Sequence, residues 1–204
     1  MSPRGVTTPD VRERLFAAAE RVLEREGPGA LTSRAVTGEA DCAKGLLHAH
    51  FDGLDAFVAE LVLDRFARVA RHAEGLPGRA GQGSVAANLL DVALALLASS
   101  GPTVAGLALA RPAAAARIRA ALLDGAPGFG TVQDAITAYL DAERLGGRVA
   151  EAADTGAVAL ALVGTLHHLL MTGGPDRGAE RDRVARLVAQ LDAGLRPAGP
   201  AAGG

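Results

Sequence analysis

The chain has 204 residues and a formal net charge of −2; 49% of it is apolar but only 3% is aromatic. That length can bury a sizeable core, which this composition must build from Ala, Leu and Val. The single cysteine, Cys42, excludes an intramolecular disulfide and a multi-cysteine zinc site and suits a reducing compartment. The opening stretch MSPRGVTTPDVRERL has no apolar centre of the kind a signal peptide needs, so a cytoplasmic location is expected.

No run reads as strand, and helical spacing of apolar residues dominates, so the expected class is all-α. Thr8-Pro9-Asp10 opens a first helix, with a capping hydroxyl, a proline where its missing N–H is harmless, and an acid at the positive end of the helix dipole. Val11, Leu15, Ala18, Ala19, Val22 and Leu23 form its stripe, and Gly27-Pro28-Gly29 ends it. Thr32 or Ser33 caps a short second helix with Ala35, Val36 and Ala40 on its inner face. Asp41-Cys42 turns into a third helix at about 43–50, and Asp52-Gly53 closes the unit. From Leu54 a new stripe (Phe57, Val58, Leu61, Val62, Phe66, Val69) marks a long fourth helix that stops at the glycines of 75–83. Further helices are expected at about 84–100, 102–110, 112–124, 127–145, 151–172 and 178–195. The tail RPAGPAAGG has nothing to bury and is expected to be disordered.

Two runs, 92–110 and 155–175, lack Asp, Glu, Lys and Arg and approach the ~20 residues of a membrane span. Both are rich in Ala and Gly and have no Trp or Tyr at their edges, so they are expected to be buried core or subunit interface rather than membrane.

The stretch 31–57, LTSRAVTGEADCAKGLLHAHFDGLDAF, places two short helices after a longer amphipathic one, the order of a helix-turn-helix DNA reader. Phe16, Ala19, Gly27, Leu31-Thr32, Val36, Lys44-Gly45 and His50-Phe51 together make residues 11–57 resemble the N-terminal signature of TetR-family bacterial regulators. The resemblance implies an N-terminal three-helix DNA-binding domain (1–53), a larger helical ligand-binding and dimerisation domain (54–195) and a tail (196–204). It further implies a homodimeric repressor whose partners are double-stranded palindromic operator DNA and a small effector; no enzymatic activity or cofactor is expected, and the apolar lining expected of the pocket suggests a largely apolar effector. Carried over residue by residue, Thr32, Ser33 and Arg34 would meet phosphates, Lys44, Gly45 and Leu46 would face base edges, and His48 would stand where relatives place a phosphate-binding tyrosine. Effector binding would pivot the fourth helix and change the separation of the two recognition helices, of which DNA favours one.

This chain departs from the family pattern at three positions. The turn glycine is Asp41, which tolerates a left-handed backbone; the capping serine is Ala43; and a phosphate-binding lysine at the start of the fourth helix is Leu54. Residues 1–57 hold seven basic and nine acidic side chains, 7 − 9 = −2, so modest and salt-sensitive DNA binding is expected. The same departures motivate an alternative, a helical small-molecule-binding protein that keeps dimer and pocket but has lost its operator.

Phe66, Leu90, Leu94, Leu107, Phe129, Tyr139 and His167 are the expected effector-pocket lining, aliphatic and aromatic with a few hydrogen-bonding groups. The small-residue helix at 155–172 and the amphipathic one after it would form a four-helix dimer interface through Leu162, Leu166, Leu187 and Leu191. His167 and His168 have no acid at ligand spacing and no HExxH occurs, so no metal site is expected, and an all-α enzyme using either histidine can name no partner group. His50 is expected to bond a backbone carbonyl, and Cys42 to act as a small hydrophobe rather than a thiol switch.

Overall fold

The computed structural model describes residues 8–99, 106–107, 110–172 and 176–197, without the side chains of 8–10, 99 and 177. Among the described residues there are nine α-helices and no strand, so the chain is all-α. They are α1 (Thr8–Glu26), α2 (Ser33–Glu39), α3 (Leu46–His50), α4 (Gly53–Glu74), α5 (Val85–Ser99), α6 (Pro112–Leu123), α7 (Phe129–Leu145), α8 (Thr155–Thr172) and α9 (Arg177–Leu195). The cap expected of Thr8-Pro9-Asp10, most of the helix expected at 102–110, and the last seven residues of the tail lie outside this description.

The chain divides into two compact units: residues 1–64 with 103–125, and 65–102 with 126–204. The first unit is built on α1, whose Leu15, Phe16, Val22 and Leu23 are buried with Leu31, Val36, Leu47 and Phe57. Three of the chain's five phenylalanines close this core. Phe16 lies 5.7 Å from Phe51 and 5.5 Å from Phe57, and Phe51 meets Phe57 edge-on at 4.9 Å. Such pairs contribute roughly 0.5–1.5 kcal/mol beyond their buried area. Gly27 ends α1 at φ 79°, ψ 176°, a region open essentially only to glycine. Ala114, Ile118 and Leu107 are also buried, so α6 belongs to this unit.

The second unit is a helical core in which α7 packs on α8 and α5 on α9. Val92, Leu96, Ile136, Leu140, Leu162, Leu166, Val184 and Val188 fill it. Asp154 caps α8 by accepting from the Ala157 N–H at 2.9 Å, and Asp176 caps α9 by accepting from the Ala179 N–H at 3.0 Å. The cap at Asp154 is why α8 starts at Thr155 rather than at 151. The Ala150 N–H donates to the Leu195 carbonyl at 2.8 Å and ties the end of α9 to the α7–α8 connection.

By length and mean hydropathy (1.4) α8 matches a membrane span. Its Leu162, Val163, Leu166, Leu169 and Leu170 are nonetheless buried among the other helices of the unit, as in the core of a helical bundle.

Candidate nucleic-acid interface

Thr32 adopts an extended backbone and its side chain accepts from the Ala35 N–H at 3.1 Å, so Thr32 rather than Ser33 caps α2. Thr37, buried on the inner face, donates to the Ser33 carbonyl at 2.9 Å. The turn between α2 and α3 passes through Asp41 at φ 47°, the left-handed conformation that a short polar side chain tolerates. The Cys42 N–H donates to the Thr37 carbonyl at 3.0 Å and closes that turn.

The recognition helix is shorter than its sequence pattern. It was expected from 43, but α3 begins at Leu46, and Lys44 and Gly45 lie in the preceding turn. Ala43 offers no capping oxygen and the helix has no side-chain cap, so the three residues before Leu46 gain too little to enter it, Gly45 least of all. Leu47 is buried and fixes the roll of α3. Lys44, Gly45 and His48 are exposed and Leu46 is half-buried; at the start of α2, Thr32 and Arg34 are exposed and Ser33 is half-buried. His50, expected to bond a carbonyl, makes no hydrogen bond among the described residues.

The balance of charges here differs from the raw count of −2. Four of the arginines in α1 are engaged within the unit. Arg12 pairs with Glu60 and lies 4.5 Å over the Phe51 ring, while Arg14 donates to the Ala40 carbonyl at 3.1 Å. Arg21 and Arg25 both reach Glu39, at 2.7 and 3.0 Å, and hold its carboxyl below the usual range. Asp55 and Asp52, the two acids flanking the start of α4, are met by Arg111 at 2.8 Å and Arg117 at 3.1 Å. Arg111 also donates to the Leu31 carbonyl at 3.1 Å and so clamps the entry to α2 against the first turn of α4. Among the described residues, Arg34 and Lys44 have no acidic partner. Arg34 on α2 and Lys44 in the turn before α3 are thus cations without an acid, and both were expected to face DNA.

Arg111 and Arg117 were invisible to the sequence reading, since their partners lie 56 and 65 residues away and no spacing announces them. Beneath Arg111 is a cleft of about 610 Å³ bordered by Pro28, Gly29, Asp55 and Ala110–Ala113; no residue expected to line an effector pocket borders it. Burial pushes the Cys42 thiol above its ordinary value, which keeps it protonated and argues against a reactive thiolate.

The residues expected to line the effector pocket do not form one set. Phe129 meets Phe66 in a tilted contact at 5.1 Å and His167 edge-on at 5.0 Å, and Leu90 and Leu94 are half-buried on α5. Leu107 belongs to the first unit. Tyr139 is 0% exposed and serves the core: its hydroxyl accepts from the Asn88 amide at 2.9 Å, and the same amide nitrogen donates to the Gln82 carbonyl at 2.8 Å. Burial pushes the Tyr139 phenol up to about 12, with Glu143 adding to the push against the Asn88 amide. Leu162 and Leu166, expected at a dimer interface, are 0% exposed within their own chain, and Leu187 and Leu191 are half-buried against the same core. The outward face of α8 instead carries Ala157, Leu160, Ala161, Gly164 and His168, with Leu160 59% exposed.

After α1, a capped α2, a left-handed turn and a short α3 form a helix-turn-helix. Residues 15–61 match the family model described as bacterial regulatory proteins, tetR family. No curated protein sequence matches the chain. Its fold is shared with a Mesorhizobium loti protein assigned to the TetR-family transcriptional regulators, at 16% identity and a TM-score of 0.68 over 94% of this chain and 100% of that one. Salmonella enterica GusR is similar at 17% identity and 0.63 over 94% and 99%. A TetR transcriptional regulator from Streptomyces coelicolor is similar at 25% and 0.57 over 92% and 99%.

Proposed function

We propose that this protein is a homodimeric, effector-responsive repressor that reads a palindromic operator, in the cytoplasm and without a catalytic step. The observation that carries the reading is the distribution of unpaired charge. The arginines of α1 are spent inside the unit, Asp52 and Asp55 have partners, and Arg34 and Lys44 stand without an acid at the edge formed by α2 and α3. Phosphate neutralisation supplies most affinity for DNA, and cations without an acidic neighbour are the ones free to supply it. Thr32, Ser33 and Arg34 would set the register on the backbone, with His48 beside them. Lys44, Gly45 and Leu46 would approach base edges.

The outward face of α8 supports the dimer. Ala157, Leu160, Ala161 and Gly164 are small or apolar and exposed, and two such helices with α9 from each subunit would close a four-helix interface about a two-fold axis. In this reading the interface is carried by the Leu160 stripe, with the half-buried Leu187 and Leu191 of α9 at its border. The second unit would hold the effector beside Phe66, Phe129, His167, Leu90 and Leu94. An effector acts through its different affinity for the DNA-competent and incompetent states, and α4, which contributes residues to both units, would carry the change.

A gel shift with the DNA upstream of the protein's own gene tests the proposal. Retardation abolished by excess specific but not scrambled DNA is expected. A chain that folds, dimerises and fails to retard that DNA or any fragment selected from a random pool would instead be a helical small-molecule-binding protein.

A further inference from the structure

We propose that the first unit carries a binding site for an apolar α-amino acid, in the cleft where Arg111 is paired with Asp55. The cleft holds about 610 Å³, within the roughly 300–1,000 Å³ of small-molecule sites, and every residue that borders it belongs to that unit. It lies among the turn Pro28–Ala30 that follows α1, the first turn of α4 and the start of α6. None of the residues proposed to hold an effector in the second unit borders it.

The charged part of the wall is an ion pair with capacity to spare. Arg111 donates from Nη1 to Asp55 Oδ1 at 2.8 Å and from Nη2 to the Leu31 carbonyl at 3.1 Å. These bonds leave the Arg111 Nε–H and the Asp55 Oδ2 oxygen without a partner among the described residues. Both side chains border the cleft and keep accessible surface, 27% for Arg111 and 43% for Asp55. An anion alone would gain Arg111 but meet Asp55 beside it, and a cation alone would meet the reverse. A zwitterion laid antiparallel to the pair finds an opposite charge at each end. Its carboxylate accepts from Arg111 while its ammonium donates to Asp55, both as charge-assisted hydrogen bonds. An α-amino acid bears the two groups on a single carbon, so their spacing suits a contact ion pair.

Pro28, Gly29, Ala110, Pro112 and Ala113 make up the rest of the wall. None of them has a side-chain donor or acceptor, so they favour an apolar side chain on the ligand over a polar one. The Arg111 bond to the Leu31 carbonyl ends one residue before Thr32, the cap of α2. A bound amino acid would therefore act on the clamp that holds the entry to α2. Any effect on operator binding rests on the reading given under Proposed function, but the binding itself does not.

The test uses the full chain and L-leucine as probe. Isocaproate and isopentylammonium serve as analogues that keep the side chain and one charge each. Binding is followed by the NMR shifts of the Ala110 and Ala113 methyl groups. Saturable shifts with leucine are expected, with either analogue weaker by about tenfold or more, the loss of one charge-assisted hydrogen bond. Asp55→Asn removes the partner of the ammonium and should reverse the order, so that isocaproate binds more tightly than leucine. A purely structural Asp55 would leave the order as it is. Ala113 is exposed on the cleft wall, and Ala113→Trp, which occupies the cleft and leaves the ion pair in place, should abolish the shift of the Ala110 methyl. It guards against an Asp55 variant that fails to fold. The absence of saturable shifts with leucine, equal binding of leucine and either analogue, or indifference to both substitutions would overturn the proposal. Because no DNA enters the readout, such a failure leaves the operator-binding reading untouched, and a failed gel shift leaves this site untouched.

Discussion

Tyr139 is the only tyrosine in a chain without tryptophan, so its ionisation can be followed directly by phenolate absorbance. Its ring is fully buried, and burial pushes the phenol from its ordinary 10.0 up to about 12. The phenol is neutral when protonated, and the folded state holds that proton more tightly than the unfolded chain does. Its contribution to stability is therefore complete below about pH 10 and is lost as the pH rises towards 12. At about 1.4 kcal/mol per unit of pKa difference, the loss is on the order of 2–3 kcal/mol, with the slope confined to that window. The assay is a pair of titrations, phenolate absorbance and far-ultraviolet circular dichroism, on wild type and Asn88→Asp. Phenolate should appear no earlier than loss of helix in the wild type. The variant removes the amide that donates to the hydroxyl and should lose helix at lower pH. A phenol that titrates near pH 10 while the helical signal stays intact would show that Tyr139 faces an open pocket, as its sequence context first suggested, and would refute its placement in the core.

The clamp at Arg111 should be measurable in the same way. Arg111→Ala loses a part-exposed ion pair and a charge-assisted bond to the Leu31 carbonyl, about 1–2 kcal/mol together by urea unfolding, and Arg111→Lys, which cannot bridge both acceptors, should lose part of that. If both variants unfold with the wild type, the ion pair is solvated surface. Leu160→Arg should convert the proposed dimer to a folded monomer in sedimentation, because it places a charge on the exposed stripe of α8. Leu162→Arg should unfold the second unit instead, since that side chain is fully buried within one chain. A dimeric, stable Leu160→Arg would move the interface to another face.

Much of this was legible from the residues because helices advertise themselves through apolar periodicity and caps. The stripe Leu15, Phe16, Ala19, Val22 and Leu23, the stop at Gly27, the cap at Thr32 and the left-handed Asp41 all act within a few residues of themselves, and all are local signals. The start of α3 was misplaced because a helix needs its cap as well as its stripe, and Ala43 supplies none. Orientation within the second unit was harder. A helix as uniformly apolar as α8 has little polarity to say which side faces inward, so Leu162 and Leu166 were assigned to the outer face that Leu160 occupies. The pairing of charges was not legible at all. A count of −2 cannot show that Glu39 is held by two arginines, that Asp52 and Asp55 find partners in α6 and just before it, or that Glu180 is buried without one.

The central claim is that Arg34 and Lys44 are the cations this helix-turn-helix presents to DNA. Fluorescence anisotropy of labelled operator and scrambled duplex, titrated with wild type, Arg34→Ala and Lys44→Ala at several salt concentrations, tests it most directly. Lys44→Ala should cost on the order of 1–3 kcal/mol on operator and narrow the gap between operator and scrambled DNA. Arg34→Ala should weaken both duplexes alike and reduce the salt slope by about one phosphate contact per subunit. Unchanged affinity and unchanged salt slope in both variants would contradict the account and leave the α2–α3 edge without a role in reading DNA.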